Sequence, residues 1–272
     1  RKELQILPPG DIRNCLVALS RSESLLSRLF QYRFGEGGEI EGHSFGNLFI
    51  AAMTGVIGDF SSAVREASSI LAIKGHVIPV TNENVQLVAQ FEDGSEITGE
   101  TAISEARRRI VRMGLNPEAP LANQEALSAI DDANIIVLGP GSLFTSVIPN
   151  LLVPGVAERI NKSGARVVYI CNVMTQPGET DSFNAADHVR AILDKTSLKH
   201  IDIVVVNSRR SAKPLMARYE NRGQFWVPPT VKKIEDMGIR VVAADLLLES
   251  DMLRHNPNLL AAILIGLINE KP

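Results

Sequence analysis

Residues 134–151, NIIVLGPGSLFTSVIPNL, set the architecture that the rest of the chain must satisfy. Ile135, Ile136, Val137 and Leu138 form a short unbroken apolar run, the pattern of a parallel strand covered on both faces. The run stops at Gly139-Pro140-Gly141, and Ser142 reads as the cap of a new helix. A strand that feeds a capped helix through glycines leaves several backbone N–H groups pointing one way, where the helix dipole favours negative charge. Ser142, Thr145 and Ser146 add hydroxyl donors in the first turn. A phosphate or pyrophosphate seat is one reading of this stretch. A plain strand-to-helix turn that uses glycine for its φ angles is the other.

The same rhythm repeats to the end of the chain. A helix is expected over residues 154–162, a strand over 166–171 ending at Asn172, and a helix from 184 or 185 to 194. A strand over 201–206 ends at Asn207, a helix covers 213–222, and a strand over 240–243 ends at Asp245. The closing helix covers 256–268, with Pro257 acceptable in its first turn. Strand–helix repetition implies right-handed crossovers and a parallel sheet with helices on both faces, a Rossmann-like three-layer α/β core. Ligands in such folds bind beyond the carboxyl ends of the strands. That rule selects Gly139, Gly141 and Ser142, residues 172–181, Asn207 and Asp245.

Before that core, Pro8-Pro9-Gly10 forms a turn and Asp11 can cap a helix whose apolar face begins with Leu16, Val17 and Leu19. Asp11, Arg13 and Asn14 crowd its start, where polar side chains can meet a ligand; for Asp11, capping alone is the alternative. A second helix over residues 22–32 carries Leu25, Leu26, Leu29 and Phe30 inward. Four glycines within residues 35–42 make a mobile loop, after which Ser44 caps a largely buried helix. Gly46 and Asn47 in its first turn are odd choices unless something packs closely there. His43 is either a proton donor or ligand contact, or a hydrogen-bonded loop residue. Asp59 caps a further helix reaching residue 73.

Alternation over residues 76–80, 85–91, 97–103 and 108–115, with a hairpin turn at Glu92-Asp93-Gly94-Ser95, implies three or four antiparallel strands. They read as a small β insertion at about residues 76–115 within one domain spanning 1–272. Residues 122–131 form a helix with Ala126, Leu127 and Ile130 inward.

Composition narrows the function. A net charge of −3 over 272 residues gives no basic groove for nucleic acid. The longest apolar run, residues 259–268, is about half of a membrane span, and no signal peptide precedes the charged start Arg1-Lys2-Glu3. A cytoplasmic protein is expected, with Cys15 and Cys171 as reduced thiols.

The segment CNVMTQPGETDSF joins a buried strand to a helix yet holds Asn172, Thr175, Gln176, Gly178, Glu179, Thr180 and Asp181. That density of hydrogen-bonding groups suits a ligand rich in hydroxyls and amides, such as a nucleoside or sugar; a self-bonded Asx/ST turn network is the alternative. His188 reads as structural or solvent-exposed. Asp11, Glu179 and Asp181 can hold Mg²⁺ against a phosphate, although nothing in their spacing demands it and no dedicated metal signature is present. Arg254 can clamp a pyrophosphate and Tyr219 can stack on a base or sugar. Both also suit a surface arginine and an amphipathic helix edge. There is no Walker motif, no G-x-G-x-x-G, no nucleophile elbow and no zinc signature.

Four segments in this order, PPGDIRNCLVAL, GHSFGNLFIAAM, VLGPGSLFTSVIPNLLVPG and CNVMTQPGETD, closely resemble the gluconeogenesis factor (YvcK-type) family, which is related in fold to 2-phospho-L-lactate transferase. The resemblance runs from about Leu4 to the C-terminus. It implies a Rossmann-like protein that binds UDP-sugars such as UDP-N-acetylglucosamine and influences carbon metabolism, cell-wall precursor supply and cell shape, with no enzymatic activity generally assigned. Relatives begin with a strand, a glycine-rich loop and a helix, then an Asp-Asp-Gly-Gly loop, before the segment starting here at Arg1, so a truncated beginning is expected. A protein partner in cell-wall synthesis and a homo-oligomer complete the expected picture. The alternatives are a phosphotransferase, with Asp11 or His43 in acid/base work and Mg²⁺ on the phosphates, and a scaffold with a structural nucleotide site.

Overall fold

The computed structural model describes residues 9–20, 25–35, 40–249 and 252–270, the Lys213 side chain excepted. Pro8, residues 22–24 of the second expected helix, and residues 36–39 of the glycine loop lie outside the described residues. The chain divides into two compact units, Arg1–Val85 with Leu121–Ala126, and Gln86–Pro120 with Leu127–Pro272.

The first unit is helical. It contains α1 (Gly10–Leu19), α2 (Leu25–Gln31), α3 (Phe45–Ile57) and α4 (Phe60–Ile70). Their apolar stripes meet in a core of Leu16, Phe30, Ile50, Phe60, Val64, Ala67 and Leu71. Ser44 caps α3 by accepting from the Asn47 N–H at 3.2 Å, and Asp59 caps α4 by accepting from Ser62 at 2.7 Å. Asp11 is not a cap. α1 starts at Gly10, so Asp11 lies inside the first turn, where its charge faces the positive end of the dipole. Residues 76–80 form no strand; Pro79 brings no N–H to a ladder, and Asn123 instead bonds the carbonyls of Pro79 and Val80.

The second unit opens with a three-stranded antiparallel sheet of order β2-β1-β3, built from β1 (Gln86–Phe91), β2 (Glu96–Thr98) and β3 (Ile110–Asn116). The turn between β1 and β2 falls at Glu92-Asp93-Gly94-Ser95, as its residues predict. The strand expected over residues 97–103 is cut short. Gly99 adopts φ +101° and α5 (Glu100–Ala106) follows, burying Ile103. The unit boundary falls on α6 (Gln124–Asp131).

From there the chain alternates. β4 (Ile135–Leu138) leads into a π-helical turn, Leu143–Val147, continuous with α7 (Ile148–Leu152) and followed by α8 (Val156–Lys162). Then come β5 (Arg166–Ile170), α9 (Ala185–Lys195), β6 (Ile203–Asn207), α10 (Lys213–Glu220), α11 (Val231–Glu235) and β7 (Arg240–Ala244). A hairpin of β8 (Leu247–Glu249) and β9 (Leu253–His255), absent from the sequence reading, precedes α12 (Pro257–Asn269), which Asn256 caps.

The four long strands form a parallel sheet of order β4-β5-β6-β7. On one face Val168, Ile170, Ile203 and Val205 pack with Leu246, Leu267, Leu260, Ile263 and Leu264. Val167, Tyr169, Val204 and Val206 on the other face are equally buried, so the central strands are covered on both sides. β4 is not. Among the described residues it is an edge strand, as is β7; Val137 is 37% exposed, and within β4 only Leu138 is buried. No helix among the described residues is long and apolar enough to cross a membrane.

Candidate functional site

The carboxyl ends of β4 and β5 are joined by side chain and backbone. Gly139 adopts φ +76°, and a Cβ there would stand 3.2 Å from the Ile170 carbonyl oxygen, so glycine permits the close approach. Asn172, just past β5, grips the facing peptide from both ends. Its Nδ2 donates to the Gly141 carbonyl at 2.7 Å and its Oδ1 faces the Gly141 N–H at 3.4 Å.

Ser142 caps the helical segment that follows, accepting from the Thr145 N–H at 3.1 Å and the Thr145 hydroxyl at 2.7 Å. Its own hydroxyl donates to the Glu179 carboxylate. Glu179 is 5% exposed, and burial pushes its carboxyl above the usual carboxylate range, with the Glu100 charge adding to the rise. The hydrogen bond from Ser142 opposes that rise, as do the nearby Phe144 backbone and Ser104 side chain. The chain's own carboxylate therefore sits among oxyanion donors at the helix entrance. Sequence reasoning identified Ser142 and Glu179 separately, but their pairing spans two elements and leaves no local trace.

The rest of residues 172–181 is a bonded loop. Thr175 accepts from the Phe225 N–H at 2.9 Å, and Thr180 accepts from the Gln176 N–H at 2.8 Å; both threonines are buried. Asp181 accepts from the Gly178 N–H at 2.8 Å. Gln176 Oε1 is buried without a partner among the described residues. Gly178 (φ +83°) lies against the Arg107 backbone with no room for a Cβ.

β9 meets the later candidate Tyr219 of α10 and the carboxyl end of β5. The Leu253 N–H donates to the Tyr219 phenol oxygen at 2.8 Å, and His255 Nε2 lies 3.2 Å from the Cys171 carbonyl oxygen at the end of β5. Arg254, between these two anchored residues, is exposed. Nothing in the sequence around His255 marks it, because its partner lies beyond another strand.

Two strand-end residues are spent on structure. Asn207, 5% exposed, donates to the Arg209 carbonyl and accepts from the Leu246 N–H, while Asp245 pairs with Arg209 at 2.7 Å. His188 is fully buried, its Nδ1 3.0 Å from the Asn184 carbonyl and its ring against Phe183; burial lowers its pKa.

Asp11, Asn14, His43 and Asn47 belong to the first unit. Asp11 and His43 are exposed, Asn14 accepts from Arg13 Nη2 at 2.6 Å, and Asn47 donates its backbone N–H to the Ser44 cap while its Oδ1 is buried without a partner among the described residues. As for Mg²⁺, Asp181 and Glu179 spend oxygens on Gly178 and Ser142. Among the described residues no group of three or more His, Cys, Asp or Glu side chains is arranged for a metal ion. These residues do not fit a protein-built magnesium site.

Over residues 1–247 the chain matches the protein-family model described as 2-phospho-L-lactate transferase CofD. It is 45% identical over 268 residues to the gluconeogenesis factor of Halalkalibacterium halodurans, covering 98% of this chain and 83% of that protein. It is 44% identical over 271 residues to the gluconeogenesis factor of Bacillus subtilis, covering 99% and 86%. The crystal structure of protein BH3568 from Bacillus halodurans matches the fold with a TM-score of 0.94 at 44% identity, over 97% of this chain and 86% of that one.

Proposed function

The chain belongs to the 2-phospho-L-lactate transferase CofD family, and on that footing we propose that it is a regulatory protein that binds a uridine nucleotide-sugar, UDP-N-acetylglucosamine or UDP-glucose, without turning it over. The observation that carries this reading is the Ser142 hydroxyl at the entrance of the helical segment donating to the buried Glu179 carboxylate. Donors that hold a buried carboxylate at a helix entrance have the chemistry to hold a phosphate oxygen. The diphosphate sits at Gly139, Gly141 and Ser142, displacing or protonating Glu179. Asn172, Gln176 and Asp181 read the sugar or nucleoside, while Thr175, Gly178 and Thr180 shape their loop. Tyr219 from α10 and Arg254 from β9 close the site. The name gluconeogenesis factor borne by relatives supports an output in carbon metabolism. The proposal extends that output to wall-precursor supply and cell shape, in the cytoplasm, through a homo-oligomer with a protein partner.

The family description favours a second reading, a transferase acting on a phosphorylated substrate, with Asp11 or His43 in acid/base work. Calorimetry with UDP-N-acetylglucosamine, followed by a search for product after long incubation with Mg²⁺, separates the two. Saturable heat without product supports the regulator. Steady product formation rejects it, and absence of heat rejects nucleotide-sugar binding.

A further inference from the structure

Arg13 is 9% exposed, and its positive charge has no ion pair among the described residues. Buried charges are ordinarily paired with an opposite charge, because desolvation is otherwise too costly. Its Nη1 donates to Ser44 Oγ at 2.7 Å and its Nη2 to Asn14 Oδ1 at 2.6 Å, both neutral partners, and Nε is buried with none among the described residues. Ser44 is the cap of the 13-residue helix α3, so the guanidinium stands at the positive pole of that helix. Two further features make the placement more costly. Burial lowers the Arg13 pKa most, the charge of Arg33 lowers it further, and Asp11 compensates only in part.

The placement is nonetheless built into the packing. A Cβ on Gly46 would lie 2.8 Å from Arg13 Cγ and 2.7 Å from the Phe30 carbonyl oxygen, so glycine in the first turn of α3 makes room for the arginine stem. The next residue, Asn47, has an unpartnered buried amide oxygen, and its two amide ends can exchange to present N–H donors. Around the entrance of α3 the structure thus gathers a buried guanidinium bonded to the Ser44 cap, an unpartnered amide oxygen on Asn47, and a second cation, Arg33, close enough to act on Arg13 through its charge.

We propose that Arg13, Asn47 and the amino terminus of α3 form a binding site for a phosphate-class oxyanion, either free phosphate or a phosphomonoester. The Phe45 and Asn47 N–H groups are already bonded to the Tyr32 carbonyl and to Ser44. The helix therefore contributes its field, and the guanidinium Nε–H and the Asn47 side chain contribute the hydrogen bonds. Arg33, exposed and bonded to the Gly42 carbonyl, adds long-range attraction. The inference stands without the Ser142 seat, which belongs to the other unit.

The test is ¹H–¹⁵N NMR of the whole chain, following the Arg13 Nε–H resonance, assigned by through-bond correlation, as inorganic phosphate is titrated against chloride at matched ionic strength. A saturable shift with phosphate and none with chloride is expected. Asn47→Ala and Arg33→Gln should each weaken the apparent affinity at least threefold, while Ser142→Ala leaves it unchanged. A parallel titration with glycerol 3-phosphate identifies the source: a markedly tighter response supports the proposal with a phosphorylated metabolite as ligand, an equal one supports it with free phosphate. A resonance that does not move, moves equally with chloride, keeps its affinity in both Asn47→Ala and Arg33→Gln, or loses its response in Ser142→Ala overturns the proposal.

Discussion

The Ser142 hydroxyl donates to the Glu179 carboxylate, a residue 37 positions further along the chain. One group comes from the entrance of a helical segment and the other from the loop after β5. An anionic ligand at Ser142 must compete with that carboxylate, so the seat and its internal occupant are linked thermodynamically through the Glu179 proton.

Burial raises the folded-state pKa of Glu179 above its unfolded value. Between the ordinary glutamate value of about 4.3 and the raised folded value, the folded state holds a proton that the unfolded state has lost, so stability falls as pH rises across that window. Urea titrations at a series of pH values should show this slope in the wild type and a flatter one in Glu179→Gln. Binding of a diphosphate favours the protonated carboxyl, so affinity for UDP-N-acetylglucosamine should also fall with rising pH, and Glu179→Gln should bind more tightly at neutral pH. A variant with the same pH slope as the wild type would remove Glu179 from both effects.

Gly178 and Arg107 both adopt left-handed φ angles, +83° and +47°, and touch through their backbones. A Cβ at position 178 would overlap Arg107 Cα and come within 2.6 Å of the Arg108 nitrogen, neither of which is the free end of a side chain. Gly178→Ala should therefore cost about 3 kcal/mol, from backbone strain plus overpacking. The urea midpoint measures it; a loss within error of zero would mean that the loop shifts without cost.

Asn207 uses both ends of its amide to tie the ends of β6 and β7, donating to the Arg209 carbonyl at 2.5 Å and accepting from the Leu246 N–H at 3.1 Å. Asn207→Ala strands both groups and should cost about 1–3 kcal/mol. Asn207→Asp keeps the acceptor but loses the donor and adds a buried charge, so it should be more destabilising at pH 7 than at pH 4. Equal urea midpoints for the two variants at pH 7 would contradict this assignment.

The central strands were legible because a doubly covered strand needs an unbroken apolar run, as in Val167 to Ile170, and because Ser44 and Asp59 announce their helices within three residues. Val137 misled because the run Ile135–Leu138 resembles a central strand whether or not a neighbour covers its second face, and edge position is a property of the sheet. The helix α5 was hidden because apolar alternation through Ile103 outlasts the left-handed turn at Gly99, where the strand in fact ends. The site is legible one element at a time. Glycines, Ser142 and Asn172 stand at strand ends by rule, but Ser142–Glu179, Arg13–Ser44 and His255–Cys171 are contacts between distant positions, and no spacing within one element encodes them.

β9 is pinned on either side of Arg254, by the Tyr219 phenol on Leu253 and by His255 against the Cys171 carbonyl. Tyr219→Phe removes the acceptor for the Leu253 N–H and should cost about 1 kcal/mol of stability. It keeps the ring, so affinity for UDP-N-acetylglucosamine should fall less than about tenfold, a loss of under roughly 1.4 kcal/mol. Arg254→Glu touches neither pin and should leave the circular dichroism spectrum and urea midpoint alone. It replaces a cation by an anion beside the proposed diphosphate seat, so on that proposal the calorimetric heat should vanish. The contrast separates positioning from contact: a loss in Tyr219→Phe as complete as in Arg254→Glu would make the phenol a direct ligand group, and unchanged affinity in Arg254→Glu would take that arginine out of the site.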